Sequence, residues 1–259
     1  GGVNNIAVTA TLADINAGSL LAALPVELPV RIRDLDGRTS GTLDIRGLPN
    51  NAQGELNLAA ATGVIAGQAF DNLAVKAVFA GTRIDLEQAE MRVGAGRLSV
   101  KGNYDRASEA FNFDLAGNAV PVPLALAFLP PNDAIPVITG DMDFTARATG
   151  VALQASTYDV NFDGMARGVN VGENALGDVT FNGVTRAQVL TANLTATLEG
   201  RPQVINANVN FGSDDMPLTA STDFNQSPLA PFLAFVPLLK SYPITGTGTG
   251  RVEFGGNLT

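Results

Sequence analysis

The chain has 259 residues, a formal net charge of −9, and no histidine, cysteine or tryptophan. These absences exclude Ser-His-Asp and Cys-His nucleophile systems, imidazole and thiolate metal sites, and disulfide bonds. The acidic balance also disfavours nucleic acid and anionic headgroups as partners, because contacts to phosphate need clusters of Lys and Arg.

Hydrophobic residues make up 46% of the chain, yet no run of about 18 apolar residues occurs. We therefore expect short strands and no transmembrane helix. The chain begins with Gly1 rather than Met, and both ends fall inside a repeated sequence pattern. A segment of a longer protein is therefore expected.

A strand-like segment bounded by two glycines ten residues apart occurs three times, at 37–47, 140–150 and 246–256. Each copy follows a short apolar segment next to a proline, predicted to be a helix at 19–24, 123–129 and 228–236. Repeats of this kind indicate stacked structural modules. The predicted organisation is the end of a repeat at 1–36, full repeats at 37–139 and 140–245, and the start of another at 246–259.

Short segments with alternating apolar and polar residues fill the chain between these markers. A strand is predicted at 3–14, followed by seven in each full repeat. Those of the first repeat are near 40–46, 54–60, 63–70, 72–80, 83–93, 97–104 and 109–116, and those of the second are near 140–148, 156–163, 167–172, 176–184, 188–199, 203–212 and 217–225. Consecutive strands joined by tight turns pair antiparallel, and alternation leaves one face apolar and the other polar.

The apolar phase of these strands is the candidate functional surface. The side chains predicted to line it are Leu56, Leu58, Leu73, Val75, Phe79, Leu98, Val100, Phe111 and Phe113 in the first repeat, and Met142, Phe144, Val160, Phe162, Val179, Phe181, Leu194, Leu198, Val209, Phe211 and Phe224 in the second. A second sheet, a sheet closed on itself, or a ligand held in a trough would each cover such a face. A lining of Ala, Val, Leu and Phe without Trp favours the trough.

Several other motifs favour ordinary interpretations. The glycine-rich run 246–251 lacks the Lys-Ser/Thr of a P-loop, so a strand or bulge is predicted. Carboxylates at 85–90 and 141–143 fall on the polar phase, which indicates a solvated face rather than a glycosidase pair. The acidic turn 214–215 has no further acidic residues nearby for calcium. The short helices carry no basic face and are expected to pack on the sheet. We predict no enzyme, no metal and no cofactor.

These motifs resemble the TamB family of translocation and assembly module proteins, within the broader AsmA-like group. The resemblance covers essentially the whole chain as a middle β-repeat segment. Its carrying features are Gly-Thr-Leu-Asp-Ile-Arg-Gly-Leu-Pro-Asn at 41–50, Gly-Ala-Gly-Arg-Leu-Ser-Val-Lys-Gly-Asn-Tyr at 94–104, the helix Ser-Leu-Leu-Ala-Ala-Leu-Pro at 19–25, the glycine-bounded strands, and matching Asp-apolar-Asn triplets at 14–16 and 223–225.

The resemblance implies an all-β, elongated antiparallel β-repeat folded into an open U-shaped groove, a β-taco, with short helices between repeats. It implies a periplasmic position within a protein that is anchored in the inner membrane of Gram-negative bacteria and reaches the outer one. Phospholipids and an outer-membrane TamA-type or other BamA-like protein are the implied partners. Membrane contact would come from parts of the protein outside this segment.

The predicted function is conduction of phospholipids between the two membranes along the hydrophobic groove. One alternative is a scaffold or chaperone for outer-membrane proteins, acting by β-strand addition at a sheet edge. Another is a plain structural spacer with a dry core. The three functions depend on different surfaces. Conduction depends on the apolar face, strand addition depends on the backbone edge, and a spacer depends on neither.

Overall fold

A computed structural model of the protein describes residues 6–22, 35–48, 51–65, 67–126, 137–198, 201–229 and 245–257. Strands dominate this part of the chain. The elements are β1 Ile6–Asn16, α1 Ala17–Ala22, β2 Asp36–Leu48, β3 Ala52–Ile65, β4 Gln68–Gly81, β5 Arg83–Val93, β6 Gly96–Asp105, β7 Ala110–Pro121, α2 Val122–Leu126, β8 Ile138–Val151, β9 Gln154–Val171, β10 Asn174–Arg186, β11 Val189–Leu198, β12 Arg201–Asn210, β13 Pro217–Pro228 and β14 Thr247–Asn257.

The hydrogen-bonded order of the strands is their order in the chain, from β1 to β14. Consecutive strands pair antiparallel, as in β2 with β3 and β10 with β11. The described strands therefore form an open antiparallel sheet, which confirms the predicted all-β repeat character. The chain divides into two compact units: the first holds 1–120 with 149–152, and the second holds 121–148 with 153–259.

The described residues of each full repeat form six strands, β2–β7 and β8–β13, where the sequence pattern predicts seven. The difference comes from two predicted breaks, at 61–62 and 164–166, which β3 and β9 pass through without interruption. Gly63 directly follows the first break, and Gly164 lies in the second. Both glycines lie under a phenylalanine ring of the next strand, Phe70 and Phe181 respectively, where a Cβ would overlap the ring. They provide space within a strand and do not mark a turn.

The strands that lead towards the predicted helices share a backbone irregularity. Asp14, Ala119 and Gln226 all have positive φ, of 56°, 49° and 48°. The N–H of Asp14 donates to Ser40 Oγ (3.2 Å), and that of Gln226 donates to Thr249 Oγ1 (3.0 Å). Asp14 therefore corresponds to Gln226. The match of triplets 14–16 and 223–225 is displaced by three residues from the structural correspondence.

The described helices are short. In α1 the cap is Asn16, whose Oδ1 accepts from the N–H of Ser19 at 2.9 Å, so the helix begins before the predicted Ser19. In α2, Leu124 is 1% exposed, which agrees with packing on the sheet. The predicted helix at 228–236 lies almost entirely outside the described residues. Among the helices that are described, none combines the length and apolar character needed to cross a bilayer.

Candidate hydrophobic binding face

Strand register places every predicted lining residue of the first repeat on one side of the sheet. Leu56 lies opposite Ala77, and Leu58 lies opposite Val75. Side chains of directly opposed residues point to the same side, so the face can be followed from strand to strand. The residues that form this face, called the first apolar face, are Leu43 and Ile45 on β2, Leu56, Leu58 and Ala60 on β3, Leu73, Val75, Ala77 and Phe79 on β4, Ile84, Leu86, Ala89 and Met91 on β5, Leu98, Val100 and Tyr104 on β6, and Phe111, Phe113 and Leu115 on β7.

Bulges keep the phase of this face where strict alternation would lose it. Asn72 has φ 62°, and the register shifts there, so Phe70 and Leu73 reach the same side although they are three residues apart. A second shift lets Leu86 and Ala89 share the face. A bulge inserts one extra residue and so inverts the phase of the residues after it. These insertions keep the apolar face continuous across β4 and β5.

The second repeat has an equivalent face. Phe181 lies opposite Gly164 on β9 and Leu194 on β11. The second apolar face consists of Met142 and Phe144 on β8, Tyr158, Val160, Phe162, Ala166, Val169 and Val171 on β9, Val179 and Phe181 on β10, Leu190, Ala192, Leu194, Ala196 and Leu198 on β11, Gln203, Ile205, Ala207, Val209 and the following Phe211 from β12, Leu218, Ala220, Thr222 and Phe224 on β13, and Val252 and Phe254 on β14. Leu198, Phe224 and also Arg201, which is opposite Leu198, hold backbone positions on this face, but their side chains lie outside the described part.

Most of the predicted lining side chains are only half-buried. Met142, Val179, Val209 and Phe211 are buried, with 8–9% of their surface exposed. The other predicted positions whose side chains are described have intermediate exposure. Leucine, valine and phenylalanine in a packed core are normally far more deeply buried. These faces therefore keep apolar surface that a further apolar partner would cover.

Reciprocal pairs of phenylalanine and glycine shape the second apolar face. Phe162 lies over Gly183, and Phe181 lies over Gly164. The two rings are 6.2 Å apart between centroids. Because a β-carbon on either glycine would overlap the facing ring, each ring lies flat along the sheet instead of projecting from it. The result is a low, even apolar surface at the centre of this face.

One end of the second unit bends locally toward this face. The rings of Tyr158 on β9 and Phe211, just after β12, meet edge to face with centroids 5.7 Å apart. Two strands, β10 and β11, lie between them. In a flat sheet the backbones of such strands would be about 14 Å apart. The two side chains thus reach across the β10–β11 hairpin on the concave side of the bend.

The opposite side of the same strands carries charged groups, several of which pair with their own neighbours. Lys76 Nζ lies 2.7 Å from Glu87 Oε2, and Arg83 pairs with Asp85 at 2.6 Å. Hydrogen bonding to Glu87 is the main cause that raises the pKa of Lys76. Asp143 pairs with Arg167, so three of the carboxylates at 85–90 and 141–143 are partners of ion pairs. Within the described residues, no group of three or more His, Cys, Asp or Glu side chains is placed to hold a metal ion.

The sequence prediction missed polar members of the second apolar face, among them Gln203 and Thr222. Gln203 and Thr222 are 4% and 3% exposed, and Gln203 Oε1 and Thr222 Oγ1 have no hydrogen-bond partner. Strand alternation alone assigns both residues to this face, because 203 alternates in phase with 205, 207 and 209, and 222 with 218 and 220. The predicted lining contains apolar residues only, so it leaves both out.

Tyr104 is a third polar group, on the first apolar face opposite Phe111. Burial is the largest cause that raises the pKa of its phenol, followed by the charges of Glu109 and Asp105. The neutral phenol is therefore favoured on this face well into alkaline solution.

Comparison of the chain with models of known protein families, with curated proteins and with solved structures gave no match in any of the three.

Proposed function

We propose that the two apolar faces bind the acyl chains of phospholipids, and that the chain conducts phospholipids between the inner and outer membranes of a cell envelope. The observation that carries this proposal is the run of half-buried Leu, Val and Phe side chains on successive strands of each unit. A charged face on the other side of the same strands favours water there. Acyl chains are partners that match an apolar face without needing polar recognition.

The proposed form of the binding surface is an open U-shaped groove, a β-taco. The local bend that brings Tyr158 to Phe211 supports a sheet that curves toward its apolar side. Acyl tails would lie within the groove, and headgroups would remain at its open edge in water. Each methylene that leaves water contributes about 0.8 kcal/mol. A lining of similar side chains makes this gain nearly equal along the groove, so lipid would slide without deep traps.

The proposed role is non-enzymatic. Asp85 and Glu87 on the charged side lie within ion-pair distance of Arg83 and Lys76. Each of these pairs is surface-exposed, in contrast to the sheltered acid that hydrolysis of a glycoside requires. Conduction needs only a surface of the right polarity, and transport driven by a gradient or by a partner requires no covalent step.

The envelope setting rests on the resemblance of the sequence motifs to the TamB family. We propose that the chain acts in the periplasm as part of a protein anchored in the inner membrane. A TamA-type or other BamA-like protein of the outer membrane would be its partner. Membrane contact would then belong to regions outside this segment.

Native mass spectrometry with lipid extraction tests the proposal on the chain purified from a bacterial periplasm under mild conditions. We expect bound phospholipid in the wild-type chain and loss of it in Phe144→Asp, which places a charge on the second apolar face. A compact wild-type protein that carries no lipid would contradict lipid conduction. It would instead favour a spacer, or strand addition if extended peptides bind.

A further inference from the structure

Gln203 and Thr222, called the polar pair, lie within an otherwise mainly apolar surface. On β12, Gln203 is opposite Ala196 and two residues before Ile205. Ile205 is opposite Thr222 on β13. Gln203 and Thr222 are therefore diagonal neighbours on the same side, about 7 Å apart between their β-carbons. Their side chains are close enough to contact one small group of a ligand.

The unpartnered state of the polar pair is unusual for these faces. Thr39 Oγ1 donates to the carbonyl of Ile15 at 3.0 Å. Thr185 Oγ1 donates to the carbonyl of Val160 at 3.2 Å and accepts from its N–H at 3.0 Å. These two threonines, opposite Ala60 and Leu190 on the apolar faces, are therefore satisfied by neighbouring backbone. Gln203 Oε1 and Thr222 Oγ1 are deeply buried and lack this compensation.

A buried polar atom without a partner is costly, and folded proteins rarely keep one unless water or a ligand satisfies it. Gln203 Oε1 can only accept a hydrogen bond, whereas the hydroxyl of Thr222 can donate one. The complementary group must therefore donate to Gln203 Oε1, and it can either accept from the Thr222 hydroxyl or donate to it. A hydroxyl or a secondary amide can donate in this way, whereas an ester linkage offers acceptors alone and leaves Gln203 Oε1 unsatisfied.

We propose that the polar pair binds the hydroxyl or amide group beside the acyl chain of a lipid. This inference rests on the proposed function, because the acyl chain itself would lie on the second apolar face. Ile205 and Val252 on either side of Thr222 provide the apolar contacts of that chain. At this one position the pair favours lipids that carry such a hydroxyl or amide over lipids whose acyl chains are joined only by esters, whereas the apolar remainder of the faces binds acyl chains of either kind.

The test compares two probes of equal chain length, a 1-monoacylglycerol and the methyl ester of the same fatty acid. Both are measured by displacement of a fluorescent fatty acid from the complete 259-residue chain. The variants are Gln203→Leu, Thr222→Val and their combination, and the matched control is Thr185→Val. For each protein we take the ratio of the dissociation constants of the two probes. Comparing this ratio between proteins cancels differences in probe solubility.

We expect the preference for the monoacylglycerol to fall about ten-fold in the double variant, while affinity for the methyl ester stays within about two-fold. Thr185→Val should leave the preference unchanged. An unchanged preference in the double variant, with both probes still bound, would overturn this inference and leave lipid binding intact. Failure of both probes to bind the wild-type chain would overturn the proposed function as well.

Stability provides an independent readout. Removing an unsatisfied buried group should raise the urea midpoint of the ligand-free protein, so Thr222→Val and Gln203→Leu are expected to be more stable than wild type. Thr185→Val removes a satisfied hydroxyl and should lower the midpoint. If Thr222→Val lowered it equally, the hydroxyl would have a partner inside the fold, and the inference would be wrong. An ordered water that satisfies the pair, seen in a crystal structure with lipid bound elsewhere on the face, would also overturn it.

Discussion

The two sides of the strands differ in how far the chain itself provides partners for their side chains. On the charged side, Lys76 and Glu87 meet at 2.7 Å, and Arg251 and Glu253 meet at the same distance. On the apolar side, most of the lining stays half-buried, although the same strands position both sides. Groups on the charged side are paired with one another or hydrated by solvent. The half-buried side chains on the apolar side keep apolar surface in contact with water, which solvates it poorly.

This difference locates the function of the sheet more firmly than any single residue. A surface salt bridge adds little to stability, so the charged side mainly maintains solubility and strand register. Apolar surface in contact with water is unfavourable in proportion to its area. A protein that keeps such a face along many strands gains from whatever covers it, and acyl chains are the proposed cover.

A charge placed on each side of β12 should give the largest contrast. Val209→Asp puts a carboxylate at a position that is 9% exposed, and we expect a loss of about 3 kcal/mol or more in the free energy of unfolding. Asn208→Asp, on the opposite side of the same strand, keeps the acceptor for Thr191 Oγ1 and should change it by less than about 0.5 kcal/mol. Urea unfolding measures both. Equal losses would show that the two sides do not differ in burial as described.

The glycine positions on the apolar side allow a second contrast. Gly183→Val would force its side chain into the ring of Phe162, with an expected loss of about 1–3 kcal/mol in unfolding free energy. Gly250→Val makes the same change on β14, where nothing lies within 4 Å of the added Cβ, so no loss is expected. Denaturant titration of both variants checks this. A stable Gly183→Val would mean that the rings do not depend on glycine for their position.

The smallest effect is expected at Asp105, where β6 ends. Its carboxylate accepts from the N–H of Ser108 at 2.9 Å and from Thr82 Oγ1 at 2.8 Å. These bonds, with that from the N–H of Ala107, lower its pKa to about 2. Because the pKa is lowered on folding, the contribution to stability is complete above pH about 4 and is lost as pH falls through about 2.

An NMR titration of the Asp105 carboxyl carbon measures that value directly. Thr82→Val should move the midpoint upward, since it removes the second-largest of the lowering causes. The apolar side should show no change in the same pH range, because its described lining residues carry no carboxylate. A midpoint at the ordinary value near 4 would show that the turn does not hold the carboxylate as described.

Alternation in the sequence predicted which side chains share a face, because antiparallel strands with tight turns leave little freedom once the phase is set. Val75 and Phe113 are examples on the first apolar face. Alternation also placed Asp85 on the charged side. The prediction divided one continuous strand in two at 164–166, where Gly164 accommodates the ring of Phe181.

Other features depend on pairing that no local pattern contains. Asn72 adopts positive φ and inverts the phase of β4, which is visible only once both neighbouring strands are in register. The isolation of Gln203 and Thr222 likewise depends on which groups fail to reach them in space. Sequence gives the residue types of these positions, whereas their partners depend on the assembled sheet.

Photo-crosslinking with a phospholipid that carries a diazirine on its acyl chain is the decisive test of lipid binding at the apolar faces. We expect adducts on apolar-face residues of both units, such as Val75 and Leu194, and none on charged-side neighbours such as Lys76 and Asn193. Peptide mapping by mass spectrometry assigns the adducts. Adducts spread equally over both sides, or confined to the charged side, would contradict lipid binding at the apolar faces.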